Sequence, residues 1–155
     1  MDILTYPFLC LLSSPRRTAT GLDYNRLYIL LAVLEKRMGL FFGGLDVYLN
    51  IVGGFRLDEP AGDLAVALGL YSAVMDKPVG ETVIAFGEVG LGGEVRAVSA
   101  AAQRIAEAER LGFTLCILPK QSLRGLQTER FSIRLCGVSN LKEAFRVLEQ
   151  EGKHG

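Results

Sequence analysis

The sequence predicts one α+β or mixed α/β domain, in which helices pack on a mixed sheet. Three observations carry this expectation. Apolar residues recur at helical spacing in four separate stretches, short β-branched runs lie between them, and glycine-rich hairpins alternate with longer crossovers. With 155 residues, half of them hydrophobic and 22% charged, the chain is long enough for one core and too apolar to remain disordered. No internal repeat or low-complexity tract divides it.

Residues 1–14 are expected to be an irregular or linker segment, residues 15–150 the domain, and residues 151–155 a tail. Ile3 to Leu12 is apolar, but it is too short to span a bilayer and no basic flank precedes it. It reads as an edge strand or a linker rather than a targeting signal. Ser13 to Gly21 is rich in turn formers and lacks apolar periodicity, which predicts an irregular lead-in. From Tyr24 to Met38 the apolar residues follow a helical period, with Asp23 placed to cap and Gly39 after a basic last turn. Asp46 to Val52 suits a strand closing at Gly53-Gly54, and Phe55 to Leu57 is a candidate start for another.

Ala61 to Met75 is apolar on nearly every side, as a centrally buried helix should be. Val83 to Phe86 reads as a short strand, and Gly87 to Gly93 as the flexible hairpin leading back to Val95. Ala101, Ile105, Ala108 and Leu111 trace one face of a third helix ending at Gly112, with Ser99 expected as its cap. Leu115 to Leu118 and Ile133 to Val138 are brief buried strands. Leu141, Ala144, Phe145 and Leu148 mark a last helix, opened by a capping box of Asn140 and Glu143.

Composition excludes several classes of function. Lys plus Arg and Asp plus Glu both number 17, so there is no bulk positive field, and nucleic-acid binding would require a local cluster of arginines. Cys10, Cys116 and Cys136 lack metal-ligand spacing and are odd in number, which argues against structural zinc or a disulfide framework and for a reducing, cytoplasmic setting. No stretch provides the glycines and Lys-Ser/Thr pair of a phosphate-binding P-loop, so ATP hydrolysis by this chain is not expected. The single histidine, His154, lies beside the C-terminus and makes a Ser-His-Asp or Cys-His site implausible. Asp58, Glu59 and Asp63 cluster before the apolar helix, where their expected role is to complement its dipole rather than to act as an acid–base pair.

Longer matches point to a family. Pro15 to Arg26, Leu31 to Arg37, Val52-Gly53-Gly54-Phe55-Arg56, Glu59 to Leu68, Phe86 to Leu91, Gly93 to Arg96 and Leu118-Pro119-Lys120 resemble the C-terminal domain of the RadA (Sms) family of bacterial DNA repair proteins. The resemblance covers about Pro15 to Leu148. That domain is similar in fold to the Lon peptidase domain, which implies the same mixed architecture and assembly as a homo-oligomer, a hexameric ring. It also implies a role in homologous recombination and repair, beneath a RecA-like ATPase ring with branch migration activity. The ATP and zinc sites of the family fall in regions that this chain does not match, so no cofactor and no metal site is expected here. No membrane partner is expected either.

Lon-type peptidases use a Ser-Lys dyad, whose lysine takes the serine proton in an apolar site. By the resemblance, the serine position is held by Ala61 and the lysine position falls at or next to Ala102. Both partners are therefore absent, which leaves a vestigial site and no catalytic residue. For DNA, the matching basic positions are Arg56, before the Ala61 turn, and Arg96, before the missing lysine. Arg16, Arg17, Lys120 and Arg124 are weaker candidates that could equally serve subunit contacts. An arginine there can meet a phosphate bidentately, and copies around a ring would sum. The plainer alternative is that Arg56 and Arg96 form surface salt bridges with neighbours such as Asp58 and Glu94. The resulting expectation is a non-catalytic, ring-forming scaffold that contacts DNA. The rivals are a remnant Ser-Lys peptidase and a pure oligomerisation module.

Overall fold

A computed structural model describes residues 3–9, 15–54 and 56–152 of the chain. Cys10, Phe55 and His154, singled out above, lie outside the described residues.

The chain opens with strand β1 (Ile3–Leu9), where an irregular segment or an edge strand was expected. It runs antiparallel to β3 (Leu45–Ile51), and β2 (Arg17–Thr20) runs parallel to β3 on its other side. The irregular lead-in predicted for Ser13 to Gly21 is thus corrected by a strand within it. β2 is an edge strand with one half-buried face, so its Arg-Thr-Ala-Thr sequence carries no hydrophobic alternation for periodicity to find. It is fixed from the side instead. The Arg17 guanidinium donates to the carbonyls of Leu45 and of Phe42, the latter at 2.7 Å.

Helix α1 (Tyr24–Met38) follows, with the Asp23 side chain accepting the Arg26 N–H at 3.0 Å and Gly39 ending it at φ 68°. Its buried face consists of Leu27, Leu30, Leu31, Val33 and Leu34. After β3, residues Val52–Gly54 form a 3-10 turn. Leu57 makes a single parallel bridge to Leu22 where a further strand was expected. Helix α2 (Asp63–Met75) is buried as its sequence demands, packing against α1 and against β1.

The second half builds a parallel sheet in the order β4 (Val83–Ala85), β7 (Leu115–Pro119), β8 (Arg134–Val138). The hairpin of β5 (Glu88–Val89) and β6 (Val95–Arg96) closes through Gly90 and Gly93, as predicted. Helix α3 (Ala101–Arg110) is not capped by Ser99. Ala100 occupies the cap position in the left-handed region at φ 60°, while Ser99 offers only its carbonyl, to Arg104 Nε at 3.0 Å. Helix α4 (Leu141–Glu151) has Asn140 Oδ1 on the Glu143 N–H at 3.0 Å. Glu143 reaches back to the Ser139 N–H at 2.8 Å, one residue before the cap, so the capping box is shifted rather than standard. α4 also runs one residue into the expected tail, where Glu151 pairs with Arg134.

One apolar cluster unites α1, α2, β3, β7 and α4, and Tyr71 stacks on Phe145 within it at 3.9 Å between ring centroids. A smaller cluster of Phe86, Ile105, Ala108, Cys116, Leu118 and Ile133 seats α3 on the parallel sheet. The architecture is mixed α/β with packed helices, as the sequence predicted.

Candidate functional site

Residues Pro60–Gly62 form a 3-10 turn that leads directly into α2, with proline at its first position where its missing N–H costs nothing. The turn is gripped by main chain. Gly87 donates its N–H to the Ala61 carbonyl at 2.8 Å and accepts the Leu64 N–H at 3.0 Å. Gly87 has φ 153°, and a Cβ on it would lie 3.0 Å from Val95 Cγ1 and 3.1 Å from Pro119 Cγ. Only glycine brings the backbone so close. The Ala61 methyl is 3% exposed, and Gly62 beside it has no room for a side chain, because a Cβ would fall 2.3 Å from Leu57 Cδ2.

The carboxylates flanking this turn do more than complement a helix dipole. Asp63, the first residue of α2, is 2% exposed and is the only buried charged residue among those described. Its carboxylate accepts from Arg26 Nε at 2.7 Å, from Arg26 Nη2, and from the Val89 N–H at 3.0 Å. Arg26 also donates to the Val89 carbonyl at 3.3 Å. A buried charge persists only when paired and hydrogen-bonded in this way, so α1, α2 and the β5–β6 hairpin are tied at one point.

On the opposite side Glu59 receives Arg104 as a fork, with Nη1 at 2.9 Å and Nη2 at 2.8 Å. The hydrogen bonds from Arg104 hold the Glu59 carboxyl below its ordinary range, and Glu59 in turn raises the guanidinium. Arg104 also lies 5.9 Å over the Phe86 ring. Asp58 remains at the surface with Arg56.

Ala102 lies exposed in the first turn of α3, two residues before Arg104. The residue that reaches from α3 to the turn is therefore Arg104, and it meets Glu59 rather than position 61. Sequence reasoning missed Arg104 and gave Arg26 no role. A signal for Arg26 existed, since an aspartate opening an otherwise apolar, buried helix requires a cation facing it, and α1 offers one in its first turn. Arg104 had no such cue.

The candidate basic residues do not form one patch. Arg56 pairs with Asp58 at 3.3 Å with both side chains largely exposed, and Arg96 pairs with Glu94 at 2.5 Å and Glu88 at 3.7 Å. These are the salt bridges of the plainer alternative. The side chain of Arg17 is engaged with carbonyls, while the side chains of Arg16, Lys120 and Arg124 are exposed and have no carboxylate partner among the described residues, Arg16 meeting Asp46 only through its backbone N–H. Among those residues no group of three or more His, Cys, Asp or Glu could hold a metal ion. Cys116 is buried, and desolvation, reinforced by Cys136, pushes its thiol up to about 12, so it behaves as a small core hydrophobe. No helix of the described residues is long and apolar enough to cross a membrane.

Residues 46–122 match the family model described as subunit ChlI of Mg-chelatase, a span that runs from β3 through the Ala61 turn, the hairpin and α3 to just beyond β7. The chain is 48% identical over 134 residues to DNA repair protein RadA of Bacillus subtilis (strain 168), covering 86% of this chain and 29% of that protein. It is 47% identical to DNA repair protein RadA of Streptococcus pneumoniae, over 84% of this chain and 31% of that one. A third relative, DNA repair protein RadA of Halalkalibacterium halodurans, is 45% identical over 86% of this chain and 29% of its own length. The chain therefore spans less than a third of the curated relatives it matches.

Proposed function

Because this chain is a homologue of part of DNA repair protein RadA, related over 86% of its own length, we propose that it acts as a non-catalytic, ring-forming domain that contacts DNA within a RadA-type repair and recombination protein. Such a protein would work in the cytoplasm, with ATP hydrolysis and zinc binding assigned to parts of the relatives that this chain does not match. The observation that carries the non-catalytic half is Ala61. A nucleophile must be reachable, and this position holds a methyl group at 3% exposure, between a turn clamped by Gly87 and two arginine–carboxylate pairs. No amine stands at Ala102 to activate one.

The DNA-contacting half rests on the relatives' being DNA repair proteins and is assigned to exposed arginines, Arg56 and Arg96 first. Duplex binding measured at several salt concentrations, for the parent chain and for Arg56→Ala with Arg96→Ala, tests this assignment. Equal binding by both would sink it. Mass measurement in solution tests the ring, which predicts a hexamer. Turnover of fluorescent casein above buffer would refute the non-catalytic reading.

One observation favours the second reading, a pure oligomerisation module. Arg56 and Arg96 are each compensated by carboxylates, whereas Tyr24, Tyr28 and Ile29 on the outer face of α1 are exposed apolar groups of the kind that subunit contacts cover. A hexamer that leaves DNA unbound at low salt would decide for that reading.

A further inference from the structure

Three cations whose side chains have no carboxylate partner among the described residues, Lys36, Arg37 and Lys142, come together away from the Ala61 turn. A cavity of about 400 Å³ lies where the last turn of α1, the Gly90–Gly93 turn and the first turn of α4 meet, and its lining includes Lys36, Arg37, Gly92, Gly93, Asn140 and Lys142. No lining residue is acidic and none is aromatic. The side chains of Lys36 and Lys142 are exposed and make no ion pair or hydrogen bond among the described residues, and the Arg37 side chain is engaged only through Nε, with the Leu91 carbonyl at 3.3 Å.

The carboxylates that adjoin the lining in sequence keep their charge and are held in place by hydrogen bonds. Glu35 accepts the Phe42 N–H, Glu94 accepts from Arg96 and from the Gly92 N–H, and Glu143 accepts from Ser139 and Asn140. In the first turn of α4, Leu141 donates to the Gly93 carbonyl and Glu143 to its cap, which leaves the Lys142 N–H unengaged. Gly93 at φ 82° lets the hairpin turn run against α1, since a Cβ there would lie 3.4 Å from Arg37 Cβ. Three side-chain cations thus border an open volume large enough for a phosphate group, and they outnumber the carboxylates of Glu94 and Glu143 that hydrogen-bond the lining at Gly92 and Asn140.

We propose that this cavity is a phosphate site, and that its occupant is a phosphodiester of the DNA backbone. The inference rests on the DNA-contacting reading above and relocates its main contact from Arg56 and Arg96 to Lys36, Arg37 and Lys142. With no aromatic platform for a base, the contact is to backbone alone and carries no sequence preference.

The test uses a short fluorescein-labelled duplex of mixed sequence, titrated with the chain at salt concentrations from about 50 to 200 mM. Lys36→Ala with Lys142→Ala removes most of the charge on one phosphate contact, so the slope of log affinity against log salt should flatten by about 1, with binding about 10-fold weaker near 0.1 M. In the unsubstituted chain, duplex should move the amide resonances of Gly92, Gly93 and Lys142, a readout that needs no variant. If the parent binds duplex while the Lys36/Lys142 variant keeps the same slope, the site is overturned and the DNA reading survives. If the parent binds no duplex, both fall. Should inorganic phosphate move those amides when duplex does not, the occupant is a free phosphate and the proposal is wrong.

Discussion

Removing the Asp63 carboxylate should be among the most damaging single changes near the Ala61 turn. In Asp63→Ala the Val89 N–H loses its acceptor in a buried setting, which costs about 1–3 kcal/mol. Arg26, 27% exposed at its side chain, loses the partner that offset its desolvation. Deleting one member of a fully buried pair costs about 3–5 kcal/mol, and the partial exposure of Arg26 sets the expectation for Asp63→Ala at the lower end, about 3 kcal/mol. Arg26→Ala should cost at least as much, because it strands a carboxylate at 2% exposure. The double variant should cost clearly less than the sum, by about 2 kcal/mol, since neither charge is then left alone. Urea unfolding followed by circular dichroism reads this out. With a slope of about 2 kcal/mol/M, the Asp63→Ala midpoint falls by about 1.5 M. A loss below about 1 kcal/mol, or additive single effects, would refute the claim that the pair ties α1, α2 and the hairpin together.

Further outcomes follow from the same geometry. Ala61→Ser with Ala102→Lys should show no casein turnover above buffer, because position 61 is closed to substrate and Arg104 already occupies the approach from α3; brisk cleavage would contradict this. The Glu59 carboxyl is held below its ordinary value of 4.5, so its pairing with Arg104 stabilises the fold fully above that pH and ceases to do so as pH falls through the lowered folded value. With Glu59 55% exposed, the effect is screened to about 0.5 kcal/mol, and unfolding of Glu59→Gln against the parent at pH 7 and pH 3 should give a difference only at pH 7. Asn140→Ala removes the α4 cap and should lower stability by about 1 kcal/mol in thermal unfolding, a loss that Asn140→Asp should largely avoid.

The elements with strong periodicity were legible from sequence. α1 announced itself through Asp23, its leucine face and Gly39, and α2 through the absence of a polar face. What escaped had physical reasons. β2 is a short edge strand whose fixing contact, Arg17 to the carbonyls of Phe42 and Leu45, spans more than twenty residues. Ala100 takes a left-handed conformation that alanine adopts at a cost of about 1–2 kcal/mol, so propensity favoured Ser99 as the cap, and the Arg104 hydrogen bond to Ser99 accompanies the other choice. At the site, the resemblance placed Ala61 and Ala102 at the positions of a nucleophile and a base. The pairs that the structure brings to the turn, Arg26 to Asp63 and Arg104 to Glu59, join residues 37 and 45 positions apart, and no local pattern encodes such pairings.

Gly87 separates the shape of the turn from its chemistry. It holds residues 61 and 64 through their peptide groups alone, so the turn keeps its path whichever small side chain stands at position 61. Mutational drift between serine and alanine there would leave little trace in the fold, whereas loss of the glycine would bring a Cβ against Val95 and Pro119. The path of this turn is thus written in a residue with no side chain, on a different strand connection from the turn itself.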